Sequence, residues 1–361
     1  MEKLETLKGW LNGDKPGPYI IDINPTDYCN LQCVSCWQRN TEFKGKLDSK
    51  WYELPDERLL SLIDEGKELE VKWWEITGGG EAMLRPVTKD IMRKIKKLGM
   101  KGGITTNGTL FDSDFLKELL EIRWDKITFS IDGPDAKTHD ELRGKNGVFN
   151  KSIEVLKTIK ELKSKSRKNK PIITFNTVLS NKNHNKTAEM IKLAKEVGSE
   201  QVNFEPMTIH SSKGKELKLN KKQLKEFQKE IDKTQKIADK FNVKTNIQSF
   251  KEKELIEKSN SMHDVLKKET KDKDFFSVSC YEPWYHLVIK VDGTAGPCCI
   301  YNDKKINIKD KSLKDIWHGR RFNKIRKMIT KKKFPRDCAI CNAGQILANR
   351  TLREELCKSQ E

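Results

Sequence analysis

The sequence predicts an α/β protein: an open six-stranded parallel barrel followed by a small α+β domain. Three observations carry that expectation. Short β-rich runs alternate with helical patterns from Tyr19 to Met207, as parallel strands joined by crossover helices require. A hairpin-like pattern begins past Phe275, after a long charged stretch. The nine cysteines gather toward the two ends of the chain, with none between Trp37 and Ser279. Alternation alone would equally permit a doubly wound sheet.

The strands are expected at Tyr19–Asn24, Trp73–Thr77, Gly102–Thr106, Lys126–Ile131, Ile172–Val178 and Gln201–Pro206. Between them lie "DERLLSLIDEG", "VTKDIMRKIKKLG", "SDFLKELLE", "FNKSIEVLKTIKELK" and "KTAEMIKLAKEVG". Several of these end at glycine, a common helix stop. In such a barrel the ligand site should lie at the C-terminal ends of the strands. Residues 1–16 read as an N-terminal extension, 17–210 as the barrel, 211–274 as a charged helical linker or cover, and 275–361 as the second domain. There "HLVIKVDGTAGPCC" reads as a hairpin turning at Asp292-Gly293, followed by the short helices "SLKDIW" and "FNKIRKMI".

The bulk properties narrow the function. With 71 Lys+Arg against 53 Asp+Glu, the formal net charge is +18. That permits an anionic partner, but lysines interleaved with glutamates, as in "KKQLKEFQKE", more often form a solvated face. No helix-turn-helix, zinc-finger spacing or RNA-binding aromatic motif is visible, so a nucleic-acid-binding protein with a structural metal stands as a rival on charge alone. The start "MEKLETLKGWLNGD" lacks a signal-peptide pattern, and no apolar run approaches the roughly twenty residues that span a bilayer. A cytoplasmic protein without a membrane partner is expected. In that reducing setting, nine cysteines argue for metal or redox chemistry rather than disulfides.

The sharpest motif is "DYCNLQCVSCWQ", which places Cys29, Cys33 and Cys36 directly after the first strand. A structural zinc site takes four ligands, and a fourth cysteine is missing nearby. Three thiolates on an iron–sulfur cluster would leave one iron open for a substrate. After the second strand comes "TGGGEAML", with Gly79, Gly80 and Glu81; after the third, "TTNGTL"; after the fourth, "SIDGPDAKTHDELRG", with Ser130 and Arg143. Together, over roughly residues 17–207, these four motifs resemble the radical S-adenosylmethionine superfamily. The resemblance implies a [4Fe–4S] cluster on Cys29, Cys33 and Cys36 that binds S-adenosylmethionine. It implies that Gly79, Gly80 and Glu81 meet the amino group of that cosubstrate, Ser130 its ribose and Arg143 its carboxylate. A bidentate guanidinium suits the last role; an ordinary surface ion pair with Asp140 or Glu141 is the bland alternative. The chain departs from the family pattern at Ser35, where an aromatic residue is usual; Trp37 follows the third cysteine instead.

Cys280, Cys298, Cys338 and Cys341, with Gly293 between, resemble the auxiliary-cluster domain of the SPASM/twitch subgroup, as do "SLKDIWHGRRFNKIRKMI" and "FPRDCAIC". Leu347 stands where the longer SPASM version has its next cysteine. The resemblance therefore implies the shorter twitch version, with one auxiliary [4Fe–4S] cluster; a zinc ribbon is the alternative. Cys299 directly follows a presumed ligand. It could ligate in place of Cys298, donate a hydrogen atom to a substrate radical, or simply pack. Cys357 reads as a spare thiol, and Glu205, His286 and Asp292 as further acid/base candidates.

The activity implied is reductive cleavage of S-adenosylmethionine to a 5′-deoxyadenosyl radical, hydrogen abstraction from a substrate, and oxidation of the substrate radical with help from the auxiliary cluster. Dehydrogenation of a small polar, aminocyclitol-like metabolite is the leading expectation. Peptide modification by thioether or carbon–carbon bond formation is the alternative, and epimerisation with Cys299 as hydrogen donor a third. An external one-electron donor such as flavodoxin or ferredoxin is implied as partner.

Overall fold

The structure, a computed structural model, describes residues 2–39, 52–209, 212–251, 275–341 and 343–359. Helix α1 (Glu2–Asn12) precedes six βα units: β1 (Ile20–Ile23) and α2 (Asp56–Glu68), β2 (Trp73–Ile76) and α3 (Val87–Lys97), β3 (Lys101–Thr106) and α4 (Ser113–Glu121), β4 (Lys126–Ser130) with α5 (Ala136–Arg143) and α6 (Val148–Ser166), β5 (Ile172–Val178) and α7 (Thr187–Val197), then β6 (Gln201–Glu205) with α8 (Ser212–Glu216) and α9 (Lys221–Phe241). A short β7 (Lys244–Thr245) follows. The C-terminal part holds α10 (Glu282–Tyr285), β8 (His286–Ile289), β9 (Ala295–Gly296), α11 (Leu313–Trp317), α12 (Arg320–Thr330) and α13 (Ala343–Lys358).

One sheet runs β7-β6-β5-β4-β3-β2-β1-β8-β9. All neighbours are parallel except β8 and β9, which form the expected hairpin. Gly293 takes φ +79° at its turn, a value that suits glycine. The sheet is a partial barrel, with its apolar layer outside. Ile21, Ile23, Trp74, Ile76, Ile104, Ile127, Phe129, Phe175 and Phe204 alternate along the strands and are all buried in the main core. The intervening positions are polar on most strands: Asp22, Glu75, Thr105, Lys126, Thr128, Ser130, Asn176, Asn203 and Glu205. Register sets them in rows, with Ser130 level with Asn176 and Asn176 level with Asn203. Strand period two thus gives the barrel an oily outside and a polar inside.

The charged stretch after β6, expected as a helical linker or cover, is in its described part a helix seated on the barrel. Helix α9 is capped by an Asn220–Gln223 box and buries Phe227, Ile231, Thr234 and Ala238 along one face. Thr234 Oγ1 lies 2.7 Å from Thr187 Oγ1 on α7, so α9 is the sixth barrel helix. Residues 252–274 of that predicted segment lie outside the described residues. The C-terminal part joins the barrel's sheet. Its strand β8 pairs with β1, on the edge opposite β2. The terminal extension also joins it: Trp317 Nε1 donates to Pro16 O at 2.8 Å. Arg326 sits against both Trp10 and Trp317, 4.4 Å from each ring centre.

Candidate functional site

The loops after the strands build one cavity of about 390 Å³ at the C-terminal ends of β1 to β4. Its lining includes Cys29, Cys33 and Cys36, Gly79, Gly80 and Glu81, and Ser130 and Arg143. Every residue proposed for the first site is therefore brought to one place.

Local packing explains why. The loop after β2 lies against the cysteine loop: Gly80 N donates to Thr26 O at 3.0 Å and Glu81 N to Tyr28 O at 2.8 Å. A Cβ on Gly79 would stand 1.4 Å from Asp27 Oδ1, and one on Gly80 1.9 Å from Tyr28 O. Only glycine allows that approach. The cysteine loop is held on its other side by the end of α5, through Gln32 N to Arg143 O at 3.3 Å and Val34 N to Leu142 O at 3.0 Å. The loop after β3 adds a third tie, Asn107 Nδ2 to Asn30 Oδ1 at 2.8 Å. Three loops thus pre-shape the thiol loop, each from a different strand end.

Glu81 is buried and accepts from Thr106 Oγ1 at 2.8 Å, Asn107 N at 2.7 Å and Met83 N at 3.3 Å. Burial raises its carboxyl above the usual range, and these donors offset burial only in part. A carboxylate offers about four acceptor directions, so one stays available toward the cavity. Arg143 is not the surface residue of the bland reading. Its partner is Asp132, at 2.9 Å, with the side chain only 12% exposed. Asp140 instead caps Gly147 N and Phe149 N, and Glu141 pairs with Lys182. Arg143 Nη1 points at Cys33 Sγ, 3.8 Å away. Its Nε is buried without an acceptor. A guanidinium with an unmet donor, beside a cavity, suits an incoming anion such as a carboxylate.

Three soft thiol ligands with an under-satisfied arginine and a buried carboxylate on one cavity fit a thiolate-held iron–sulfur cluster and an amino-acid cosubstrate. Burial pushes the Cys29 thiol up to about 11, so a bound metal would have to stabilise the thiolate. Asp27 and Asn107 also line the cavity and were not singled out by sequence. Asp27 is buried and accepts from Tyr52 Oη. Asp132 lies inside the quoted "SIDG" motif, and a buried arginine's need for a carboxylate could have found it.

The second thiol set also converges. Cys280, Cys298, Cys338 and Cys341 line one small cavity of about 40 Å³ with Glu282, Ile300, Tyr301 and Ile346. Cys298 lines it and Cys299 does not. Burial raises the Cys280 thiol strongly, and that of Cys338 to about 11. Four thiols lining one cavity fit a thiolate-held iron–sulfur cluster. Cys299 is exposed, belongs to neither lining and so joins neither thiol set. Cys357 is exposed on α13.

His286 of β8 links α10 to β1. Its Nδ1 bonds Glu282 Oε2 at 2.5 Å, and its Nε2 stands 3.1 Å from Asp22 Oδ1 of β1, an ion pair without hydrogen-bond alignment. Burial would lower its pKa, but Asp22 and Glu282 outweigh burial and raise it to about 10. Asp292, the other acid/base candidate of the hairpin, pairs with Lys304. Glu205 sits on the polar face at the end of β6.

Residues 23–194 match the family model of the radical SAM superfamily, and residues 280–342 that of an iron–sulfur cluster-binding domain, SPASM. A tungsten-containing aldehyde ferredoxin oxidoreductase cofactor-modifying protein of Pyrococcus furiosus is 25% identical over 337 residues, covering 88% of this chain and 85% of its own. The antilisterial bacteriocin subtilosin biosynthesis protein AlbA of Bacillus subtilis is 25% identical over 308 residues; the match covers 84% of this chain and 58% of AlbA. Among solved structures, Streptococcus suis SuiB bound to S-adenosylmethionine shares the fold, with a TM-score of 0.66 at 18% identity, over 90% of this chain and 72% of SuiB. SuiB is also known bound to its precursor peptide SuiA. No described helix is long and apolar enough to cross a membrane.

Proposed function

Because this chain belongs to the radical SAM superfamily and carries an auxiliary iron–sulfur cluster-binding domain, we propose that it oxidises a peptide substrate, forming a thioether or carbon–carbon bond. The observation that carries this reading is the placement of both thiol-lined cavities on one sheet, joined through β1 and β8. The [4Fe–4S] cluster, when bound, supplies the electron that opens S-adenosylmethionine to a hydrogen-abstracting carbon radical. The chain does the rest by holding and excluding. Cys29, Cys33 and Cys36 would hold that cluster through three thiolates, which would leave room for the cosubstrate. Glu81, Arg143 and Ser130 all line that cavity and would meet the ammonium, the carboxylate and the ribose of the cosubstrate, respectively. Positioning of this kind makes the reacting atoms near neighbours. Cys280, Cys298, Cys338 and Cys341 would hold the auxiliary cluster with four thiolates, a set that suits electron transfer rather than substrate binding.

A peptide is favoured over the aminocyclitol first expected. The relative AlbA is named for bacteriocin biosynthesis, and SuiB binds a precursor peptide. The polar inner face adds a physical reason. Asn176 and Asn203 lie level on adjacent strands, and their amide groups can pair with peptide amides. The test is anaerobic reconstitution followed by mass spectrometry. About eight irons, from two four-iron clusters, and loss of two hydrogen atoms from a precursor-type peptide are expected. Loss of hydrogen from an aminocyclitol panel but from no peptide would return the reading to a metabolite dehydrogenase. Solvent deuterium entering a peptide of otherwise unchanged mass would make it an epimerase.

A further inference from the structure

A cavity of about 420 Å³ on the C-terminal part belongs to neither thiol site. Lys305, Lys311, Arg320, Arg321 and Lys324 line it, with Asp315 as the one carboxylate among them. Asp315 is engaged locally, accepting from Ser312 Oγ at 2.7 Å. Arg321 reaches Asp303 at 3.7 Å. Among the described residues, no carboxylate pairs with Lys305, Lys311, Arg320 or Lys324, all of which are exposed. Elsewhere on the surface, lysines often face a carboxylate one helical turn away, as Lys151 does Glu154 and Lys165 does Glu161. Like charges gathered in a concavity without partners are destabilising unless something anionic covers them.

The position says what that something does. The loop from Tyr301 to Ile306 joins the two cavities: Tyr301 lines the auxiliary thiol site, while Lys305 and Ile306 line the cationic groove. Lys305 lies four positions after Tyr301, at most about 14 Å of chain. The groove shares no lining residue with the cavity that holds Cys29, Cys33 and Cys36. A substrate has to reach that first cavity, so a group seated in the groove is placed to serve the auxiliary site instead. An oxidation that leaves an electron there needs an outlet for it.

We propose that this groove is the docking site of an acidic one-electron carrier protein of the flavodoxin class, which takes up the electron delivered to the auxiliary site. The carrier gains one electron and the auxiliary site loses one; no bond forms or breaks. The proposal rests on the reading of the reaction as an oxidation, but docking is measurable without turnover. Complementary charge steers such encounters and makes them salt-dependent.

The experiment measures binding of an acidic flavodoxin to the reconstituted full chain by calorimetry at several salt concentrations. The quadruple variant K305E/K311E/R320E/K324E should bind about tenfold more weakly or worse, with a flatter salt dependence. A control with K157E/K221E/K225E/K229E, on α6 and α9, carries the same change of net charge and should bind as the parent does. Iron content and circular dichroism check that both variants are folded and loaded. Equal weakening by the two variants would reduce the effect to net charge and overturn the proposal. So would absence of saturable binding by the parent chain, or binding of polyglutamate but not flavodoxin, which would make the groove a site for an acidic tail. Failure of peptide oxidation with intact, groove-dependent docking would instead refute only the substrate reading.

Discussion

Cys298 and Cys299 are neighbours in sequence and opposites in space: one lines the four-thiol cavity, the other is exposed outside it. Replacing Cys298 with serine should therefore remove about four irons per chain, and replacing Cys299 should remove none. Iron and sulfide assays after reconstitution decide it, and the reverse result would move the ligand to Cys299. Replacing Cys29, Cys33 or Cys36 with alanine should abolish 5′-deoxyadenosine release. Arg143 pairs with Asp132 and also lines the cavity. Lysine keeps the charge and loses the planar fork. Arg143→Lys should therefore raise the KM for S-adenosylmethionine about tenfold, the equivalent of ~1.4 kcal/mol, with iron content unchanged. A normal KM would show that the arginine serves Asp132 alone.

At the scale of elements, the loop after β2 matters as a spacer before it matters as a ligand. Gly80 has no room for a methyl group against the Tyr28 carbonyl. Gly80→Ala should push the cysteine loop away and cost about 1–3 kcal/mol of stability, with loss of cluster retention. Denaturant unfolding and iron content check both. Unchanged values would mean that the two loops part at little cost. Helix α9 carries the opposite lesson. Its polar composition reads as a cover, yet four buried positions suffice to seat it on the barrel, because one apolar stripe is enough for a helix.

At the scale of the whole molecule, the pairing of β8 with β1 puts the auxiliary site on the barrel's own sheet, and His286 clamps the seam between Asp22 and Glu282. Its folded pKa is raised to about 10 from an ordinary value near 6.5. A raised cationic pKa gives stability that is complete below the unfolded value and lost as pH climbs through the folded one. The clamp should thus weaken between about pH 6.5 and 10. His286→Gln should flatten that part of the stability profile and destabilise the chain by about 3 kcal/mol, since it leaves the buried Glu282 without its cationic partner. Thermal melts across pH check it, and a parent profile already flat there would remove the clamp.

The sequence by itself determined the alternating strands and helices, the hairpin at Asp292-Gly293 and the sorting of seven cysteines into a three and a four. Those features are local: periodicity, turn chemistry and ligand spacing are written along the chain. It also located Glu81 and Arg143, through motifs it could match. Tertiary structure alone decided which carboxylate meets Arg143, that Cys298 rather than Cys299 faces the second cavity, that α9 belongs to the barrel, and that β8 extends its sheet. It alone gathered Lys305, Lys311, Arg320 and Lys324 around one groove. Each of these depends on which distant segments pack together, and packing partners leave no mark on the spacing of residues within a segment.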